Sequence, residues 1–251
     1  MAWKIVLIHV RLTFAITMGK GIFITGTDTG VGKTFVAASL AAFLRERGYR
    51  VGVMKPVETG CPEIDGIVAP QDAALLKEAS GCAEAIEKIC PYRLSDPLAP
   101  SIAAERAGQK IDVDYLIATY GEIATDHDVT LVEGAGGLMV PLLPSYTYAD
   151  LARVLKLPLI VVGVNKLGVI NHLLLTLEHA SCMGLSTLGY VLNNMSSESS
   201  LAAETNREGL LGLTGVPCLG ESSHHGVHKF LPYEVFEKEF DIRLVERLLS
   251  M

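Results

Sequence analysis

The sequence predicts one doubly wound α/β domain, a mostly parallel sheet with helices on both faces. Three observations predict it. Short β-type runs alternate with segments of helical periodicity along most of the 251 residues. A glycine-rich loop joins the first such run to the first helix. Polar residues then follow the carboxyl end of each of five runs, the edge where open α/β sheets bind ligands. No internal repeat, low-complexity tract or linker divides the chain.

Taken in order, Gly21–Thr25 is apolar and β-type, and Phe35, Val36, Leu40, Phe43 and Leu44 recur at helical spacing until Gly48. Arg50–Lys55 reads as a second strand, and residues 56–70 as a loop punctuated by glycine and proline. A helix over Asp72–Ser80 stops at Gly81, and a short one around Ile102–Ala107 lies in a proline-rich stretch. Asp112–Ala124 is amphipathic, with Val113, Leu116, Ile117, Tyr120 and Ile123 on one face. Strands follow at Val129–Val132, Leu159–Val164, Leu188–Leu192 and Pro217–Leu219, with helices at Thr147–Leu155, Ile170–Met183 and Leu201–Leu211 between them. Met18-Gly19-Lys20 immediately precedes the first strand, so residues 1–17 read as an upstream extension and residues 18–251 as the domain.

Composition removes several classes of function. The net charge is −7 with no basic stripe, which speaks against nucleic acid. Hydrophobic residues make up 49%, yet no run approaches the roughly 18 apolar residues of a membrane span. The five cysteines are scattered, with no C-x-x-C pair; this argues against a disulfide framework or zinc site and for a reducing, cytoplasmic setting.

The loop reads Gly26-Thr27-Asp28-Thr29-Gly30-Val31-Gly32-Lys33-Thr34. Between strand and helix, its backbone N–H groups form a cradle for phosphate, Lys33 reaches the β- and γ-phosphates, and the Thr34 hydroxyl suits Mg²⁺. Five residues separate Gly26 from Gly32 where the general nucleotide loop has four. Lys55 ends a strand and is held by Pro56, where it can offset charge on a phosphoryl group or snorkel to the surface. Glu133 follows Leu131-Val132 and leads into Gly134-Ala135-Gly136-Gly137, the place for a Mg²⁺ ligand with close backbone approach to phosphate. On residue type alone Asp72 reads as a helix N-cap. Asn165-Lys166 and Asn193-Asn194 complete the polar edge.

Together these segments resemble the dethiobiotin synthetases. The resemblance runs from about residue 20 to residue 221 and includes the five-residue gap, Lys55-Pro56-Val57-x-Thr59-Gly60, Asp72-Ala73, Glu133–Gly137, Lys166-Leu167-Gly168-x-Ile170-Asn171-His172 and Asn193. It implies a P-loop fold and a ligase that uses Mg-ATP and CO₂ to close a ureido ring on 7,8-diaminononanoate, releasing ADP and phosphate. It further implies that Thr34, Asp72 and Glu133 hold Mg²⁺, and that Gly30, Val31, Gly32, Lys33, Thr34 and Phe35 wrap the phosphates. Lys55 would act with Lys33 on the carbamate and the phosphoryl group. Gly134, Ala135 and Gly136 would border ATP, Asn193 would read the adenine with Asn194 beside it, and Thr29 and Thr59 would contact the diamine. Gly168, Val169, Ile170 and Asn171 would bind the carboxylate tail across a homodimer interface.

Two departures stand out. Thr59 replaces a frequent serine and keeps the hydroxyl, whereas Ser222-Ser223-His224-His225 replaces the usual Ile-Pro and opens the question of nucleotide selectivity. Those histidines, with His228, read as a solvated loop because no acidic or cysteine ligand is spaced with them. A partition-type regulatory ATPase shares the fold but carries a lysine early in the loop, where this chain has Thr27 and Asp28. A cobyrinate-type amidotransferase would need room for a glutaminase domain.

Overall fold

The computed structural model describes residues 20–198, 200–224, 230–231 and 233–250, so the expected extension over residues 1–17 lies outside the described residues. β1 (Lys20–Gly26) passes through the glycine-rich loop into α1 (Lys33–Glu46), then β2 (Val51–Met54). Three short strands follow, β3 (Val57–Thr59), β4 (Glu63–Ile64) and β5 (Ile67–Val68), and then α2 (Gln71–Ser80) and α3 (Ile86–Ile89). Next come β6 (Tyr92–Leu94), α4 (Pro100–Arg106), α5 (Val113–Asp126), β7 (Val129–Gly137), β8 (Pro141–Leu143), β9 (Tyr146–Thr147) and α6 (Tyr148–Leu155). The chain continues through β10 (Leu159–Val164), α7 (Val169–Cys182), β11 (Thr187–Asn193), α8 (Leu201–Leu211) and β12 (Cys218–Ser222). It closes with α9 (Tyr233–Glu239) and α10 (Arg243–Ser250).

The main sheet has six strands in the order β12-β11-β10-β1-β7-β2, and every neighbouring pair is parallel. Parallel strands covered on both faces need continuous apolar sequence, which is why Ile22-Phe23-Ile24 is buried throughout. Alternation then assigns each side chain to a layer. Ile22 and Ile24 join the core with Val36, Leu40 and Phe43 of α1, while Phe23 joins Tyr120 of α5 and Tyr148 of α6 on the other face. The mostly parallel, doubly wound sheet is the one the sequence predicts.

The connections hold more structure than expected. Residues 56–70 are not a plain loop. β3 pairs with β6 outside the main sheet, and β4 and β5 form a hairpin turning on Asp65-Gly66, both at positive φ. The third expected strand does not stop at Val132. β7 runs on to Gly137, with Glu133 opposite Ile24 of β1. Asn193 is likewise the last residue of β11, opposite Val164 on one side and Ser222 on the other. Two acid or amide side chains thereby acquire the rigidity of central strands. The C-terminal α9 lays Tyr233 and Phe236 against Phe43 of α1, with ring centroids 4.9 and 5.0 Å away.

Candidate active site

The carboxyl edge of the sheet gathers most of the residues singled out above. Thr29, Gly30, Gly32, Lys33, Thr34, Lys55, Thr59, Asp72, Glu133, Ala135 and Gly136 all border one cavity of ≈ 330 Å³. Gly30 and Gly32 have φ of 72° and 89°, a conformation that admits glycine cheaply and side chains poorly. Gly32 is also the N-cap of α1 and offers no side chain to the first helical N–H groups. Those donors remain available to an anion. Lys33 is buried, and its ammonium donates to the carbonyl of Asp28 at 3.0 Å, across the loop.

Beneath the loop lies a buried charge cluster. Lys55 and Glu133 side chains are 3% and 1% exposed, and Lys55 Nζ lies 2.5 Å from Glu133 Oε1 and 2.8 Å from Asp72 Oδ2. The Lys55 backbone N–H donates to Ile89, which fixes the lysine's root just past β2. Thr34 Oγ1 donates to the same Glu133 oxygen at 2.9 Å. Burial acts to lower the Lys55 pKa, but Glu133 and Asp72 outweigh it and hold the ammonium charged. Burial together with Lys55 instead pulls Lys33 down to about 8. Asp72 is not the helix N-cap that its residue type suggests. Pro70 takes that position, and the Asp72 carboxylate turns to Lys55.

Glu133 Oε2 is buried and makes no hydrogen bond among the described residues. An unpaired buried acceptor costs roughly 1–3 kcal/mol. With the Thr34 hydroxyl and the Asp72 carboxylate beside it, the donor set is hard oxygen throughout, the chemistry that suits Mg²⁺.

The remaining residues are dispersed. Val31 is buried, and its carbonyl accepts from Asn193 Nδ2 at 2.9 Å. Phe35 packs against the core, and Gly134 faces Phe23, where an added Cβ would come within 3.1 Å of the ring. Asn194 lines a separate polar cavity of ≈ 350 Å³ with Glu221 and His224; His225 and His228 lie outside the described residues. Gly168, with φ of 96°, caps the α7 N-terminus that begins at Val169-Ile170-Asn171. Asn171 lines a groove of ≈ 480 Å³ with Leu174, Leu175 and Leu213, none of which borders the first cavity. A further hollow of ≈ 430 Å³ shares Thr29, Thr59, Ala135 and Gly136 with the first cavity and extends to Pro97, Leu98 and Val140.

Sequence reasoning missed Glu58. Its carboxylate, on β3 and 5% exposed, accepts from the backbone N–H of Asp72 at 3.0 Å and of Ala73 at 2.9 Å. It therefore caps α2 from a distance and aims Asp72 at Lys55. Within a stretch read as a loop, Val57-Glu58-Thr59 carries no periodicity that would mark the glutamate as buried. Glu58→Ala should lower the melting temperature and weaken the Asp72–Lys55 contact, with a cost of about 1–2 kcal/mol typical of a lost cap. Glu58→Gln keeps one acceptor and should fall between. Denaturant unfolding of the three proteins checks this, and equal stability would remove the cap.

A protein-family model described as an AAA domain matches residues 20–224. The ATP-dependent dethiobiotin synthetase BioD of Aquifex aeolicus is 43% identical over 195 residues, covering 78% of this chain and 85% of that protein. The protein of the same name from Thermodesulfovibrio yellowstonii is 39% identical over 252 residues, 93% of this chain and 100% of its own length. Among solved structures, the signal recognition particle receptor FtsY of Elizabethkingia anophelis in complex with GDP is similar at a TM-score of 0.52 and 16% identity. That likeness covers 84% of this chain and 58% of FtsY, and it concerns the fold alone. The variant loop, the Lys55–Glu133 pair beneath it and identities of 43% and 39% over most of the relatives' length lead to one conclusion: the chain belongs to the ATP-dependent dethiobiotin synthetase family.

Proposed function

We propose that the protein makes dethiobiotin from 7,8-diaminononanoate, CO₂ and ATP, and that the cavity beneath the glycine-rich loop is where it does so. One observation carries the reading: two buried lysines flank a loop built for phosphate, and an adjoining hollow is partly lined by Pro97, Leu98 and Val140. The hollow suits the aliphatic chain of the diamine, and the hydroxyls of Thr29 and Thr59 stand where hollow and cavity meet.

The residues have the following roles in this reading. Gly30, Val31, Gly32, Lys33, Thr34 and Phe35 present backbone and side chain to the triphosphate, and Ala135 and Gly136, set by Gly134, close the opposite wall. A substrate amine adds to CO₂ and loses a proton, giving a carbamate. The carbamate oxygen attacks the γ-phosphorus and ADP leaves; the second amine then attacks the carbonyl carbon and phosphate leaves, closing the ring. Lys55, held cationic by Glu133 and Asp72, offsets charge on the carbamate, and Lys33 does so on the γ-phosphate. Thr34, Asp72 and Glu133 would hold Mg²⁺, which when bound would neutralise phosphate oxygens. Asn193 and Asn194 read the adenine in this reading. The site is cytoplasmic and completed in a twofold homodimer, where the α7 N-terminus of one subunit binds the carboxylate tail of diamine held by the other.

Phosphate release from ATP should depend on both diamine and bicarbonate, and Lys55→Ala should abolish it. ATP affinity in that variant should stay within about tenfold, because the loop and Lys33 keep most phosphate contacts. Turnover near normal in the variant would remove Lys55 from the mechanism.

Nucleotide binding should also take up protons. In the free protein the Lys33 pKa is down at about 8, and triphosphate charge raises it. From about pH 8 upward the complex then carries a proton that the free protein lacks, whereas well below that both forms are protonated. Calorimetry in buffers of different ionisation enthalpy reads the uptake; identical heats in all buffers would contradict it.

Asn171→Asp should weaken diamine binding by charge repulsion and spare ATP binding. Mixed with Lys55→Ala subunits it should regain part of the lost activity, since each hybrid dimer has one site free of both changes. No recovery despite proven subunit exchange, or an active monomer, would overturn the shared site.

A further inference from the structure

A buried chain of side chains links β12 to the phosphate loop through Asn193. Ser222, fully buried at the end of β12, donates its hydroxyl to Asn193 Oδ1. Asn193 Nδ2 donates to the Val31 carbonyl at 2.9 Å, and its other contact is the Met195 sulfur at 3.0 Å. The orientation of the amide follows from its partners. A carbonyl at Val31 can only accept, so Nδ2 must face it, and Oδ1 must face the hydroxyl. Both amide hydrogens are thereby committed to the protein.

The consequence lies in the peptide between Val31 and Gly32. A trans peptide is planar, so the Val31 carbonyl and the Gly32 N–H point in opposite directions. Tying that carbonyl back to Asn193 turns the Gly32 N–H away from β11, at the residue that begins the phosphate cradle. The fit is close: a Cβ on Gly32 would lie 1.9 Å from Asn193 Nδ2.

We propose that Ser222 is a positioning residue for nucleotide binding. It locks the Asn193 amide, which holds the Val31 carbonyl and so presets the phosphate-binding N–H of Gly32. The proposal rests on the reading of the cavity as an ATP site, but makes its own claim: the device acts on the triphosphate, not on the base alone.

The test uses ATP and inorganic triphosphate, titrated by calorimetry into the full-length protein without diamine. Native protein that binds neither would refute the ATP site itself, and with it the role given to Ser222. Ser222→Ala should weaken both ligands by about tenfold, the loss expected when a buried acceptor is stripped of its donor. Asn193→Ala should do the same, and the double variant should be no weaker than the worse single one, because both act through one contact. Should Ser222→Ala melt below the assay temperature, Ser222→Cys, with a weak donor in nearly the same volume, replaces it and should lose less. Weakened ATP with unchanged triphosphate would assign the pair to the base and overturn the proposal. So would unchanged binding of both ligands, or losses that simply add.

Discussion

The active edge depends on one buried ion pair, Lys55 with Glu133. Moving a single charge into an interior costs several kcal/mol even after relaxation, so neither residue would be tolerated there without the other. Glu133 sits in β7, between β1 and β2, and the register that sets it opposite Ile24 also fixes its height at the carboxyl edge. Lys55 emerges just past β2, the neighbouring strand, so the sheet itself brings the two together. Thr34 and Asp72 are then placed by reference to that pair, one on Glu133 and the other on Lys55. Exposed pairs such as Arg50 with Asp128 contribute little by comparison, because solvent screens them.

The sheet was legible because its strands are buried on both faces and therefore apolar from end to end. The glycine loop was legible because a phosphate cradle needs left-handed backbone at fixed spacing, and Gly30 and Gly32 supply it. What could not be read were contacts that carry no periodicity. Nothing in the sequence marks β7 as continuing through Glu133 into glycines, or Asn193 as belonging to β11, since strand ends are set by the neighbours' hydrogen bonds. Glu58 was invisible for a similar reason. Its partners are backbone N–H groups 14 and 15 residues away, and backbone leaves no trace in residue type. Asp72 shows the converse: an acid near a helix start invites the capping reading, and only the fold reveals that the lysine takes it.

The cavity beneath the loop and the α7 N-terminus do not share a lining residue. The cavity beneath the loop has its charges, its threonines and an adjoining hollow with apolar lining. The α7 N-terminus opens instead beside a groove of leucines that shares nothing with it. Leu175 and Leu213 there are 63% and 58% exposed, an arrangement a solitary chain gains nothing from. The proposed homodimer would give those leucines a surface to pack against, beside the helix terminus assigned to the carboxylate tail.

A common device recurs around the site. Around the Lys55–Glu133 pair, several functional side chains are also tied to backbone: Glu58 to two helix N–H groups, Asn193 to the Val31 carbonyl, Lys33 to the Asp28 carbonyl, and the root of Lys55 to Ile89. Helices α2 and α3 pack into the core through Ala73, Leu76 and Ile89, so the groups that hold Glu58 and the root of Lys55 move little when a charged ligand arrives. A site fixed in this way needs little reorganisation as negative charge builds on carbamate and phosphate, and that is the condition under which fixed charges stabilise a transition state most strongly. The unpaired Glu133 Oε2 fits the same logic. In the proposed reading a cation beside that oxygen would recover the cost, which would tie completion of the charge cluster to arrival of the metal-bound nucleotide.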